Sequence, residues 1–196
     1  MSAGLSIITP GPLAALATAI EARLMVVFPE KQFGRPVWLP GQLTVNEWNA
    51  LVKRTPCLAI CFEGMARNES QSDLSGPVGW KIVVATRHPD PRARLFGDAL
   101  SPGLFTLLAA AALAVHRQPV AGATAMVRDM THAQIEGLTV ENVAIGVVDV
   151  RVNFDIGLDD VVIGDDLQAD DWTGLTIQWS FDGGETVART DQEALT

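Results

Sequence analysis

Apolar residues recur at helical spacing near the start of the chain. In TPGPLAALATAIEARLMVVFPE, Leu13, Leu16, Ile20, Leu24 and Val27 fall on one face of a helix. Pro12 suits the first turn, where its missing N–H costs nothing, and Pro29 stops the run. LTVNEW announces a second helix. Thr44 can cap it while Glu47 returns a hydrogen bond, and Leu43 and Trp48 stand at the two positions of a hydrophobic staple. That spacing assigns Trp48 to packing rather than to a ligand platform.

The period then changes to two. CLAICFE places Leu58, Ile60 and Phe62 on one face, and VGWKIVVATR does the same for Trp80, Ile82 and Val84. Between these strands lie 14 polar and turn-forming residues, Gly64–Pro77, long for a hairpin connection. A proline-rich crossing, HPDPRARLFGDALSPG, leads to Ser101 and Pro102 as cap and first turn of an alanine-rich helix, LFTLLAAAALAVHRQ, which Gln118-Pro119 ends. ATAMVRDM and QIEGLTVE are candidate strands. VVDVRVNF is a stronger one, with Val148, Val150, Val152 and Phe154 pointing one way. GLTIQWSF alternates again near the C-terminus, before a turn at Asp182-Gly183-Gly184.

This order lacks regular strand–helix–strand alternation. It predicts an α+β fold: a mainly antiparallel sheet packed against two or three helices, with a C-terminal β extension. The expected division is a domain over residues 1–154 and an acidic linker plus strand or hairpin over 155–196.

Composition adds three constraints. An apolar fraction of 48% supports a core, while the most apolar run, Leu104 to Val115, is too short to span a bilayer. The N-terminus lacks the basic segment of a signal peptide, so the expectation is a protein kept inside the cell that makes it. Charge is uneven: residues 155–196 carry 11 acids and Arg189 as their one base, and since the whole chain is −9 the preceding part is close to neutral. A body without clustered Lys and Arg argues against groove binding to DNA or RNA. Cys57 and Cys61 sit on one face of a strand about 13 Å apart at roughly 3.3 Å per residue. That is too far for a disulfide, and no Cys-His cluster supplies a zinc site. Both are expected to be small, buried, reduced side chains.

The sequence carries no catalytic motif: no phosphate loop, no dinucleotide fingerprint, no nucleophile elbow and no H-E-x-x-H. His88 precedes a proline at a strand end, His116 sits in the last turn of a helix where a cation is favoured, and His132 is placed in a polar turn. All three read as structural or solvent-facing. The acidic run from Phe154 to Trp172 holds the pairs Asp159-Asp160, Asp165-Asp166 and Asp170-Asp171. Its spacing does not fit a calcium loop, and adjacent acids in one linker are poor candidates for glycoside hydrolysis. They read as an acidic surface.

The assembled elements resemble the tail-terminator proteins of long-tailed bacteriophages, in particular those of Mu-like phages and prophages. The likeness spans Leu13 to Phe154. It rests on the opening helix LAALATAIEARLMVVFPE, the strand CLAICFEG with its polar loop, VGWKIVVATRHP, the alanine-rich helix and VVDVRVNFDI. It implies a structural virion protein without catalysis or cofactor, made in the bacterial cytoplasm. Such a protein forms a homo-oligomeric ring of six subunits at the head-proximal end of the tail. The implied partners are the major tail tube protein and a neck or head–tail connector protein. DNA would pass through the ring without specific binding, and no membrane is involved. In that setting Arg67, Asn68, Glu69, Gln71 and Asp73 of the polar loop become candidate contacts to a neighbouring subunit or the tube. Edge strands would be covered by ring partners, and acids facing the channel would repel DNA phosphates. Another connector or tail-completion protein, and a small calcium-binding module, are the alternatives.

Overall fold

Strand β3 (Leu74–Arg87) and strand β6 (Val143–Ile156) pair in antiparallel register over their whole lengths, from Leu74↔Ile156 to Arg87↔Val143. The computed structural model describes residues 11–39, 41, 44–67 and 74–156, and these fall within one compact unit. The other elements are α1 (Pro12–Val27), α2 (Glu30–Phe33), β1 (Val37–Leu39), α3 (Val45–Val52), β2 (Cys57–Met65), α4 (Pro91–Phe96), α5 (Leu104–Val115), β4 (Pro119–Val120) and β5 (Ala123–Ala133). The sheet runs β1-β2-β3-β6-β5-β4. β1 is parallel to β2, and every other pairing is antiparallel, as an α+β reading requires.

The two faces of the sheet are filled differently. Leu58, Ile60, Trp80, Ile82, Val84, Val148, Val150 and Val152 point to one face, where α1 and α5 cover them. Alternation every second residue puts them there. α1 contributes Leu16, Ile20 and Leu24, fully buried, while Phe28 closes its end against Phe33 with ring centroids 5.1 Å apart. α5 lies close on β6 because position 146 is glycine: a Cβ there would stand 2.6 Å from the Leu108 side chain. The opposite face holds a smaller core of Cys57, Ala59, Val83, Ala85 and Ile145, covered by Leu51 and Val52 of α3 and by Ile135, Leu138 and Val140.

Local chemistry explains the helix ends. Thr44 caps α3 as its sequence predicts: Thr44 Oγ1 accepts from Glu47 N–H at 3.4 Å, and Glu47 Oε2 accepts from Thr44 N–H at 2.8 Å. The Thr44 N–H bond, and then the Thr44 hydroxyl donating to the same Oε2 at 2.8 Å, hold the Glu47 carboxyl below its ordinary value. Leu43, the other half of the expected staple, lies outside the described residues. α1 starts with Pro12 in its first turn.

Four expectations are corrected. The 14-residue connection shrinks, because β2 continues to Met65 and β3 begins at Leu74; Met65 pairs with Val78 and Gly64 with Gly79. The proline-rich crossing contains α4, with Asp90 as its cap, accepting from Arg92 N–H at 3.0 Å, and Pro91 at the first position. Ser101 and Pro102 do not cap α5. Gly103 does, while Pro102 bridges Gly97 and Ser101 donates to Asp98. QIEGLTVE is not a strand: Gly137 turns the chain at φ 80°, and its apolar residues pack as a plug on the smaller core. β6 carries the chain through Phe154 to Ile156. The extension expected beyond it, with GLTIQWSF, lies outside the described residues.

Candidate functional site

An ordinary surface helix is apolar toward the core and charged toward water. α5 breaks that pattern, since its sequence LFTLLAAAALAV has no charged residue at all. Its inner face buries Leu104, Leu107, Leu108, Ala111 and Val115. Its outer face presents Phe105, Thr106, Ala109 and Leu113, with Leu113 73% and Phe105 48% exposed. α1 exposes Ala14, Ala15, Thr18, Ala22 and Val26, and unlike α5 it carries two charges, Glu21 and Arg23, both half-buried. Among the described residues no helix is long and apolar enough to cross a membrane.

The apolar stripe on α5 continues past the helix N-terminus. Phe96 packs edge-on against Phe105 with ring centroids 5.2 Å apart, and is itself 65% exposed. Leu100, 95% exposed, sits at the tip of the turn between them. That turn is held from within. Asp98 Oδ1 accepts from Leu100 N–H and Ser101 N–H, each at 2.8 Å, and from Ser101 Oγ at 3.1 Å. The backbone bonds pull the Asp98 carboxyl below its usual range, with His88 adding a smaller contribution. His88 Nε2 lies 3.1 Å from Asp98 Oδ2. At its base Gly97 takes φ 86°, and its backbone abuts Gly103 so closely that neither position has room for a Cβ. Leu100 is thus presented on a braced turn. Phe96, Leu100, Phe105 and Leu113 together expose on the order of 500 Å², given 150–250 Å² for each aromatic. That lies within the roughly 300–600 Å² of the largest apolar patch on a typical monomer, a patch that is often functional.

The other face of the sheet opens into a groove of ≈ 580 Å³ beside α3. Val83 and Val147 line it with Leu39, Trp48, Cys61 and Thr131. Charges crowd along one side, and each has a partner. Lys81 pairs with Glu63, Arg151 Nη2 lies 3.1 Å from Glu63 Oε2, and Arg151 Nε lies 3.1 Å from Asp149 Oδ1. Arg151 folds over position 79, which is glycine; its guanidinium fills the space a Cβ would need. Lys81 holds its proton more firmly than an ordinary lysine, chiefly through the Glu63 hydrogen bond. Two acids and two bases leave the groove edge without net charge.

Both cysteines are free. Burial pushes the Cys57 thiol up to about 11, and burial followed by Glu63 also raises Cys61. Neither has the lowered value a nucleophile needs. Among the described residues no three His, Cys, Asp or Glu side chains could hold a metal ion. His116 follows the end of α5, and its Nδ1 accepts from Val127 N–H at 3.2 Å, a structural part of the kind expected for it. His132 lies in β5 rather than in a turn. The N–H of Met130 goes to Asp129 Oδ1 at 2.7 Å. Side chains of this chain thus take two N–H groups of β5.

Of the residues singled out in the polar loop, Arg67 is exposed just past β2. Asn68, Glu69, Gln71 and Asp73 lie outside the described residues, as do Asp159, Asp160, Asp165, Asp166, Asp170 and Asp171. The stripe and the groove were not singled out as sites in the sequence. One signal was present: a 12-residue helix with no charge on any face. No protein-family model matches the chain, and no curated protein does.

Proposed function

We propose that the protein is a structural subunit of a phage virion, a tail terminator. In this reading six copies form a ring on the head-proximal end of the tail tube, stop its growth and offer a surface to the neck. The subunit acts by shape and contact, without catalysis or cofactor, and DNA passes through the ring unbound. One observation carries the reading: α5 is uncharged on its outer side as well as its inner side. A helix apolar all round belongs inside a larger body, and a subunit in an assembly supplies one. The α+β fold agrees with the element order on which the family resemblance rests.

Deleting the gene from the phage or prophage that carries it, and viewing the lysate by electron microscopy, tests this. Overlong, headless tails of irregular length are expected. Tails of normal length lying apart from filled heads would overturn the terminator reading in favour of a neck connector. Fully infectious particles would remove the protein from tail assembly altogether.

A further inference from the structure

Three outward residues of α5 stand four positions apart. Phe105, Ala109 and Leu113 form one ridge, with the small residue in the middle. Beyond Phe105 the ridge is wide, because Phe96 packs edge-on against its ring and Leu100 stands on the braced turn between them. At the other end it narrows to one large side chain, Leu113. We propose that two copies of the chain pair through this ridge, about a two-fold axis at Ala109, with their α5 helices antiparallel.

Shape, charge and area each favour a second copy as the occupant. An antiparallel crossing lays the wide end of one ridge, Phe96, Leu100 and Phe105, over the narrow end of the other at Leu113, so both ridges are covered. A parallel crossing would press wide end on wide end and hold the narrow ends apart. Ala109 meets its own copy at the axis, where its small side chain lets the helix axes approach to the short end of the usual range of about 8–10 Å. Charge agrees with this placement. A two-fold axis sets each group near it against its own copy, so a charged residue there would face a like charge. α5 has no charged residue on any face. The areas also match, because the same patch supplies both sides and no second surface is required. Each copy covers a stripe on the order of 500 Å², and the pair buries about 1,000 Å², the size at which a specific interface begins. The pairing goes beyond the terminator reading and does not rest on it.

The full chain is followed by sedimentation velocity across the micromolar range. Wild type is expected to pass from monomer to dimer as concentration rises. Leu113→Glu places an acid in the contact twice, once from each copy, and should weaken pairing at least about 30-fold, as loss of a central contact does. Leu113 is 73% exposed, so the thermal midpoint of that variant should stay near wild type. Mild oxidation in a Cys61→Ala background locates the axis. Ala109→Cys should link to its own copy. Leu113→Cys alone should not, because an antiparallel partner carries its copy about 12 Å away along the helix at 1.5 Å per residue, beyond the roughly 7 Å a disulfide spans. A mixture of Phe105→Cys and Leu113→Cys chains should link. Self-linkage of Leu113→Cys as ready as that of Ala109→Cys would overturn the antiparallel order. A wild-type monomer at every concentration, or an oligomer untouched by Leu113→Glu, would overturn pairing through the ridge. Tail length in the deletion strain judges the terminator reading separately, so either can fail alone.

Discussion

The two faces of the sheet bury apolar residues by different means. On the α1/α5 face the core is closed: Leu16, Ile20, Leu24, Ile82, Leu104 and Val150 are fully buried, and α5 lies over β3, β6 and β5. On the α3 face only part of the sheet is covered. The rest is a groove whose charges are paired within the chain. The closed face leaves apolar surface on its far side, beyond the helices, while the half-open face leaves it within a recess. One side therefore presents a ridge and the other a slot.

The comparison breaks most readily in the closed core. Leu108→Ala removes the side chain seated on Gly146, and should lower unfolding free energy by about 2–5 kcal/mol in urea titrations. A comparable loss from an exposed groove position such as Thr131→Ala would mean that the groove is structural rather than vacant. Gly146→Ala should cost roughly 1–3 kcal/mol, because Leu108 has to move to admit the new methyl group. Full stability in that variant would show that α5 does not sit so close.

Thiol labelling sharpens the contrast. Cys61 borders the groove, whereas Cys57, raised to about 11, is sealed beneath α3. At mildly alkaline pH Cys61 should react first with an aromatic disulfide reagent. Equal rates for the two thiols would contradict the difference in covering.

The smallest effect concerns α3. Thr44→Ala removes the cap and should lower the melting temperature by a few degrees near neutral pH. Glu47 has a lowered folded value, so its part of the box is present above the unfolded value of 4.5 and is lost as pH falls through the folded one. The gap between wild type and Thr44→Ala should therefore narrow in acid. A gap constant with pH would mean that Glu47 does not take part.

Much of this architecture could be read from the sequence, for identifiable reasons. Apolar spacing marked Leu16, Ile20 and Leu24 as core, the cap at Thr44 depends on four adjacent residues, and the alternation from Val148 to Val152 follows the pleat. What escaped depends on distant partners or on signals with two meanings. β1 is three residues between prolines and exists because β2 offers it an edge. α4 was hidden because Pro91 reads as a breaker, although after Asp90 it is a first-turn proline. QIEGLTVE has a strand's apolar content, but Gly137 turns it onto the smaller core. The groove joins residues from Leu39 to Val147, a proximity no local pattern encodes. The stripe needed no long-range knowledge, since the absence of charge from Leu104 to Val115 is local.

The most direct test of the central claim combines surface and function. The deleted gene is replaced in trans by wild type or by Leu113→Glu, and tail lengths are measured in micrographs of each lysate. Wild type should restore tails of one length, while Leu113→Glu should leave them overlong and irregular despite a folded, soluble protein. Uniform tails from Leu113→Glu would contradict the account, because the uncharged helix face would then have no part in stopping the tube.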